Sequence, residues 1–324
     1  MSAAADIIRV SKSRASWNWG AALVGLCFLL ACAAPLGLNG YGLYLLTLTG
    51  IFALVALGLN LLTGYAGQIS LCHASLFGVG AYATAILTQK AGWPYLVALF
   101  AGALLTTAIG ALAAVPALRL KNIYLAIATL GFGVVLQKII FEWRSLTGGG
   151  GGMALTPPTI AGYELGATGL YYLTLAFMTL GLIGAWNVSR GRTGRALLVI
   201  RESEIAAGSL GIHAPRYKVT VFAISAFYAA IAGGLFAYLV RYINPESFSV
   251  GLSISFLSMV VIGGLGTIGG SIVGAVFYVI VPELLRGIKD APGLVFGLLL
   301  VVVMVFMPQG LWGMLRRLVR RFPA

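Results

Sequence analysis

Charged residues are scarce in this chain, and acidic residues are the scarcest of all. Only 9% of the 324 residues are charged and only eight are Asp or Glu, whereas 60% are hydrophobic. Soluble domains carry about 25% charged residues, so this composition excludes a soluble globular protein. One charge at the centre of a bilayer costs about 2.5 to 3.5 kcal/mol, which is why membrane-spanning chains hold few. We therefore expect a polytopic membrane protein embedded in the lipid bilayer.

Acidic residues are also missing from the interior of the apolar runs, because all eight fall at run ends or in loops. Proton-coupled carriers usually place Asp or Glu inside the helix bundle. This absence weakens the interpretation as a self-sufficient secondary carrier, although sodium coupling through carbonyl and hydroxyl oxygens stays open. An energy source outside the chain is the favoured alternative.

Catalytic and nucleotide-binding motifs are absent as well. The sequence has no G-x-x-x-x-G-K-[ST] loop, no Ser/His/Asp set, no H-E-x-x-H and no carboxylate pair within an apolar run. Gly264-x-Gly266-x-x-Gly269 matches the dinucleotide fingerprint, but no soluble strand precedes it, so close helix packing is the better interpretation. We expect no enzyme activity, no cofactor and no metal, and any ATP must be bound by another subunit.

Cysteine and histidine are too few to build a disulfide framework or a metal site. Cys27, Cys32 and Cys72 lie within apolar runs and read as small core residues. His73 and His213 are far apart in the sequence. The net charge of +13 invites a nucleic-acid interpretation, but the basic residues sit at the ends of apolar runs. Membrane topology explains them better, so we expect no nucleic-acid partner.

Ten apolar stretches are long enough to cross a bilayer, at about 20 residues per crossing. They predict an all-α membrane bundle of about ten transmembrane helices that forms a single domain, 1–324. A cytoplasmic N-terminus places 15 of the 21 basic residues on the cytoplasmic side and puts the C-terminus there too. The predicted spans are 18–36, 41–62, 71–88, 94–118, 122–141, 169–189, 218–240, 251–266, 269–285 and 292–309. The remaining segments are a cytoplasmic N-terminal tail (1–17), an extracytoplasmic loop (142–168), a cytoplasmic loop (190–218) and a basic cytoplasmic C-terminal tail (310–324).

One uncharged polar stretch interrupts the second and third spans. Glycines and amide or hydroxyl side chains between Asn60 and Ser70 suit a broken or re-entrant helix that lines a polar cavity. For His73, just beyond this stretch, a helix–helix hydrogen bond is at least as good an interpretation as a role in a polar pathway. A second interruption, 263–271, resembles the first and could be its counterpart in a duplicated architecture. The candidate substrate-pathway residues are Gly64, Tyr65, Gly67, Gln68, Ser70 and His73.

The segment 190–218 is the one long polar segment between apolar runs. A short helix over 202–210 is predicted, with Glu202 and Glu204 near its positive N-terminus, Gly211 in the left-handed position after it, and Pro215 stopping continuation. Ile205 and Ile212 would give the helix an apolar face for a partner. The loop 147–168, with five consecutive glycines, is either a flexible connector or a contact surface or lid.

Four stretches, 64–82, 147–153, 201–218 and 263–270, together resemble the LivM-type permease subunits of branched-chain amino acid ABC importers. The resemblance covers about 38–309. It implies an inner-membrane pore subunit with three kinds of partner: a LivH-type permease, two ABC ATPase subunits and a periplasmic substrate-binding protein. A urea or short-amide permease of the same family is the alternative cargo, and a self-sufficient carrier is the alternative mechanism.

The resemblance also assigns a role to the 190–218 segment. ABC importers carry an E-A-A-x-x-x-G loop that docks in a groove of the ATPase, and Glu204, Ala206, Ala207 and Gly211 resemble it, with Ile205 inserted after the glutamate. The implied cytoplasmic coupling helix would move when the ATPase binds ATP. The residues expected to couple to the ATPase are Glu204, Ile205, Ala206, Ala207, Gly211 and Ile212.

Overall fold

The computed structural model describes residues 29–120, 122–160, 162–285 and 310–321, together with the single positions 25, 297, 301 and 307. Two compact units divide the chain, Met1–Leu43 and Tyr44–Ala324. In the first unit, residues 29–37 are helical. Most of the predicted spans 18–36 and 292–309, all of the tail 1–17 and the end of the tail 310–324 lie outside the described residues.

Helices make up most of the described chain. A π-helical turn, Leu61–Tyr65, continues the first helix, and 3₁₀ turns occupy Pro116–Leu118, Gly149–Gly151 and Pro245–Phe248. Helices α1 to α12 span Gly40–Asn60, His73–Gln89, Tyr95–Ala113, Asn122–Glu142, Arg144–Thr147, Ala167–Arg190, Arg192–Glu202, Glu204–Ser209, Ala214–Val240, Val250–Gly263, Ile268–Leu284 and Gly310–Arg321.

Five of the described segments are long and apolar enough to cross a membrane, by length and composition: Gly40–Tyr65, Tyr95–Ala113, Ile123–Glu142, Ala167–Arg190 and Ala214–Val240. Two shorter apolar helices, α10 and α11, follow them. This confirms a polytopic helical membrane protein, and about ten crossings stays a prediction.

The predicted and observed helix bounds differ by up to five residues: α3 ends at Ala113 rather than at residue 118, and α9 begins at Ala214 rather than at residue 218. Pro215, predicted to stop continuation of the short helix over 202–210, occupies the first turn of this next helix. The first-turn N–H has no intrahelical partner in any case, and the fixed φ of proline suits the helix, so proline is favoured there. The short helix α8 ends at Ser209, before Pro215, and is not continued into α9.

Helix α2 lies in the middle of the second unit because glycines allow its backbone to approach α9 closely. A Cβ on Gly80 would lie 2.4 Å from the Cα of Ala230, and one on Gly233 would lie 1.9 Å from the carbonyl oxygen of Phe77. Lipid provides no hydrophobic drive between helices, so van der Waals packing through small residues holds them together. The close contact fixes the position of the chain segment that precedes α2.

The loop 142–168 differs from a plain connector. Strand β1, Met153–Ala154, pairs antiparallel with β4, Tyr242–Ile243, and β2, Thr159–Ile160, pairs with β3, Tyr163–Glu164. Gly152 has a left-handed φ of 68°, and a Cβ there would lie 2.4 Å from the carbonyl oxygen of Ile243. The all-α prediction is therefore wrong at these four short strands. They could not be predicted because a two-residue strand is too short to show the alternation of apolar and polar residues.

Candidate functional site

The segment 190–218, named here the coupling loop, contains two helices instead of the single predicted helix over 202–210. Ser203 lies between the two helices in an extended conformation. Its Oγ accepts a hydrogen bond from the backbone N–H of Ala206 at 3.2 Å. Serine is among the best N-cap residues because its oxygen satisfies a free N–H of the first turn. Glu202 therefore ends α7, contrary to the prediction, and Glu204 begins α8.

Helix α8 presents apolar and small side chains outward. Ile205 is 87% exposed and Leu210 is 69% exposed, whereas Ala207 is buried against the body of the protein. Gly211 has a left-handed φ of 74°, as predicted for the residue that ends the helix. An exposed apolar helix face of this kind suits docking in the groove of a partner.

The six predicted coupling residues lie together on α8 and in the turn that follows it. Ile212, predicted to be part of the apolar face, is replaced on that face by Leu210. Ile212 is half-buried, and its backbone N–H donates to the carbonyl oxygen of Ala207 at 2.9 Å. Leu210, which sequence analysis did not select, supplies the second exposed apolar side chain. Its place directly after the last helical residue gave no periodic signal.

An ion pair between a buried lysine and a half-buried glutamate anchors α8. Lys218 is 4% exposed, and its Nζ lies 2.5 Å from Oε1 of Glu204 and donates to the carbonyl oxygen of Ala117 at 3.0 Å. A buried charge is tolerated only when it is paired and hydrogen-bonded. The pair therefore fixes the start of α8 to α9 and to the turn that follows α3. This pair could not be predicted from the sequence, because its members are 14 residues apart and belong to different helices.

The chain between Leu61 and Cys72, named here the helix break, lies directly against the coupling loop. The π-helical turn ends at Tyr65, and α2 begins at His73. Arg201 donates a hydrogen bond from Nη1 to the carbonyl oxygen of Gly64. Gly67 has a left-handed φ of 67°, and a Cβ there would lie 2.9 Å from Cγ of Arg201. The last turn of α7 is thus in contact with the interruption.

The two glycine-rich interruptions of the sequence are in contact, and Asn60 joins them. Its Nδ2 donates to the carbonyl oxygen of Thr267 at 2.7 Å and to Oγ of Ser271 at 2.9 Å. Its Oδ1 accepts from the backbone N–H of Gly266 at 2.8 Å. A Cβ on Gly64 would lie 2.3 Å from that same nitrogen. Asn60 satisfies backbone groups that the non-helical turn leaves free.

Ser70 and His73 lie in the packed interior. His73 Nδ1 is 3.0 Å from Oγ of Ser70, and its Nε2 is 2.6 Å from Oγ of Ser225 on α9. All three side chains are fully buried. The arrangement matches the helix–helix hydrogen bond considered for His73, and a role for these residues along a transport pathway stays a prediction.

A cavity of about 280 Å³ lies between the helix break and the coupling loop. Gly67 and Gln68 of the predicted pathway set line it, along with Arg201, Glu204 and Lys218. Gly64 and Tyr65 lie in the preceding turn, where Gly64 is buried and Tyr65 is half-buried. Within the described residues, no group of three His, Cys, Asp or Glu side chains could hold a metal ion.

Known proteins resemble this chain over most of its length. A protein family described as "Branched-chain amino acid transport system / permease component" matches residues 41–308. The high-affinity branched-chain amino acid transport system permease protein LivM of Escherichia coli K12 is 34% identical, over 89% of this chain and 74% of that protein. The corresponding LivM of Salmonella typhimurium LT2 has the same identity and coverage.

Similarity extends to the other permease of such systems. LivH of Escherichia coli K12, also described as a high-affinity branched-chain amino acid transport system permease protein, is 26% identical over 82% of this chain and 92% of that protein. The stretch that the family matches, residues 41–308, contains the helix break, the coupling loop and the second interruption. The chain therefore belongs to the family of permease components of branched-chain amino acid transport systems.

Proposed function

We propose that this chain is the membrane-embedded permease subunit of an ATP-driven importer of branched-chain amino acids. Family membership and the similarity to LivM and LivH support the substrate class and the transport role. The observation that carries the mechanism is the exposed, anchored helix α8 in contact with the helix break through α7. Since the sequence has no nucleotide-binding loop, partner subunits supply ATP hydrolysis.

In the proposed mechanism, an ATPase subunit docks on α8 through Ile205 and Leu210. The ion pair between Glu204 and Lys218 makes α8 move with α9 rather than independently. Arg201 passes displacement of α7 to the carbonyl of Gly64 at the helix break. Packed elements with two arrangements carry such coupling. The attached spans then rock to expose a central pathway alternately on the two sides of the membrane.

The proposed assembly contains this chain, a LivH-type permease, two ABC ATPase subunits and a periplasmic substrate-binding protein in the inner membrane. Helices α4 and α6 expose apolar side chains such as Ile127, Val135, Leu180 and Ile183. Such faces suit lipid or a second permease subunit. About ten spans, with both termini in the cytoplasm, complete the proposal.

The test is uptake of labelled leucine, with labelled urea in parallel, by vesicles that carry the full set of subunits, with and without ATP. ATP-dependent leucine uptake that is lost when this chain is omitted supports the proposal. Leucine uptake without ATP or partners overturns the coupling mechanism and favours a self-sufficient carrier. ATP-dependent uptake of urea alone keeps the mechanism and replaces the cargo.

A further inference from the structure

Helix α12, Gly310–Arg321, is strongly basic and contains no acidic residue. Its four arginines are Arg316, Arg317, Arg320 and Arg321. Residues four apart are neighbours on a helix, and like charges at this spacing destabilise it. Two such pairs occur here, 316 with 320 and 317 with 321. Negative charge from outside the helix would remove this repulsion.

The apolar residues of α12 fall on the other face of the helix. Positions 311, 314, 315 and 318 recur at the three- and four-residue spacing of one face, and the four arginine positions fall on the opposite face. Met314 is 43% exposed and Leu315 is 45% exposed. The described part of the chain therefore leaves much of this apolar face uncovered.

Glycines hold the start of α12 against the second interruption, 263–271. Gly310 has a left-handed φ of 70°, and a Cβ there would lie 2.5 Å from Cα of Gly264. A Cβ on Gly269 would lie 2.5 Å from Cε2 of Trp312. Contacts this close fix the direction of α12 relative to α10 and α11, the two apolar helices that the interruption joins.

The same interruption lies next to the coupling loop. A Cβ on Gly266 would lie 3.7 Å from Nη1 of Arg201. Helix α12 and the coupling loop are therefore at the same end of the bundle, where α10 ends and α11 begins. An amphipathic helix at the end of apolar membrane helices meets the boundary between lipid headgroups and acyl chains.

We infer that α12 lies in the bilayer surface and binds anionic phospholipids. The arginines pair with headgroup phosphates, which a guanidinium contacts through two parallel hydrogen bonds, and Met314 and Leu315 pack among the acyl chains. A lipid surface satisfies both faces of the helix at once. The groove of a protein partner would cover the apolar face alone, and a nucleic acid would pair with the arginines alone.

Lipid bound to α12 would also hold the second interruption in place. Trp312 and Gly310 contact that interruption, and Asn60 joins it to the helix break. If the spans around these two breaks rock during transport, anionic lipid sets how readily they do so. This consequence rests on the proposed function, whereas binding of lipid by α12 does not.

Binding is tested on the full chain purified in a neutral detergent. We expect phosphatidylglycerol to raise the midpoint of thermal unfolding in a saturable manner, and phosphatidylcholine with the same acyl chains to leave it unchanged. Glycerol 3-phosphate carries the phosphate without acyl chains and should also leave it unchanged. No shift with phosphatidylglycerol, or an equal shift with either of the other two compounds, would overturn the inference.

Two double variants locate the lipid on α12. Arg316→Gln, Arg320→Gln removes one pair of like charges, and each arginine near an anionic surface contributes about fivefold to binding, so we expect the apparent Kd for phosphatidylglycerol to rise about 25-fold. The control, Arg192→Gln, Arg216→Gln, removes two exposed arginines of the coupling loop and should bind lipid as wild type does. Wild-type affinity in the first variant, or equal losses in both, would refute a site on α12.

A fluorescent probe reports the depth of α12 without changing its charge. In a Cys27→Ser, Cys32→Ser background that keeps the buried Cys72, Leu315→Cys is labelled with a dye, and the chain is placed in nanodiscs of brominated phosphatidylglycerol. We expect strong quenching by the bromine atoms. The control is Leu210→Cys on the coupling loop, an exposed leucine at the same end of the bundle. Quenching at position 315 no greater than at position 210 would overturn the inference.

Vesicle uptake tests the consequence for transport. We expect ATP-dependent leucine uptake to fall at least about fivefold when phosphatidylcholine replaces phosphatidylglycerol, and Arg316→Gln, Arg320→Gln to lose this dependence on lipid. Equal uptake by the wild type in both lipids would refute the regulation. Failure of uptake in both lipids contradicts the proposed function, whereas the binding and quenching assays decide the site by themselves.

Discussion

Arg201 donates from Nη1 to the carbonyl oxygen of Gly64, and this bond joins the end of α7 to the interrupted end of α1. The carbonyl is available because the helical ladder stops at the helix break. The last carbonyls of a helix also carry the negative end of its dipole, which favours a cation. One guanidinium thus connects the coupling loop to the segment that contacts the second interruption through Asn60.

We expect Arg201→Gln to lower ATP-dependent leucine uptake about tenfold while the ATPase still co-purifies. A hydrogen bond to a charged group contributes about 1.5 to 3 kcal/mol, so its loss should weaken transmission rather than docking. The measurement is uptake together with ATP hydrolysis in the same vesicles, and Arg201→Lys should recover part of the uptake. The control is Arg195→Gln, since Arg195 donates only within the coupling loop, to the carbonyl of Arg190. Unchanged uptake per ATP hydrolysed in Arg201→Gln would contradict this role.

Ile205 is the exposed large apolar side chain of α8, at 87% exposure. We expect Ile205→Asp to abolish co-purification of the ATPase, because a carboxylate replaces an apolar side chain that the groove would desolvate. Membrane insertion should be unaffected, since the side chain of Ile205 is 87% exposed. Ile205→Leu is the matched control and should retain the partner. Retention of the ATPase by both variants would mean that α8 is not the docking element.

The ion pair between Glu204 and Lys218 predicts that removing one partner destabilises the protein more than removing both. Glu204→Gln leaves the buried ammonium of Lys218 without its counter-charge; because Glu204 is 30% exposed, we expect a loss of about 1.5 to 3 kcal/mol in the free energy of unfolding. The double variant Glu204→Gln, Lys218→Met removes both charges and should recover much of that loss. The measurement is a double-mutant cycle of unfolding in detergent. Strictly additive losses would show that the pair makes no coupled contribution.

Sequence analysis found the elements of the site and missed the contacts between them. Apolar length placed α1, α4 and α6 within a few residues, since the bilayer dictates helix length. It placed Gly211 correctly because few residues other than glycine suit a left-handed turn. The division of the coupling loop at Ser203 was missed because a cap and a mid-helix serine look alike in sequence. The bonds of Arg201, Asn60 and Lys218 were missed because their partners are distant in sequence and mostly backbone carbonyls.

The final prediction separates backbone strain from contact with Arg201, using two glycines in the same conformation. Gly67 and Gly92 have left-handed φ values of 67° and 69°. A Cβ on Gly92 meets nothing within 4 Å, whereas one on Gly67 lies 2.9 Å from Cγ of Arg201. An alanine in this region costs about 1 to 2 kcal/mol at either position, so Gly67→Ala and Gly92→Ala should lose similar stability from strain alone.

Only Gly67→Ala should also displace Arg201 from the Gly64 carbonyl, and so only this variant should lose leucine uptake per ATP hydrolysed. The measurement pairs unfolding midpoints with vesicle uptake for the two alanine variants. Equal uptake in the two variants would mean that transport does not depend on the contact between the helix break and α7. A selective loss in Gly67→Ala, matching that of Arg201→Gln, would mean that close approach of these two segments couples ATP hydrolysis to movement of the membrane helices.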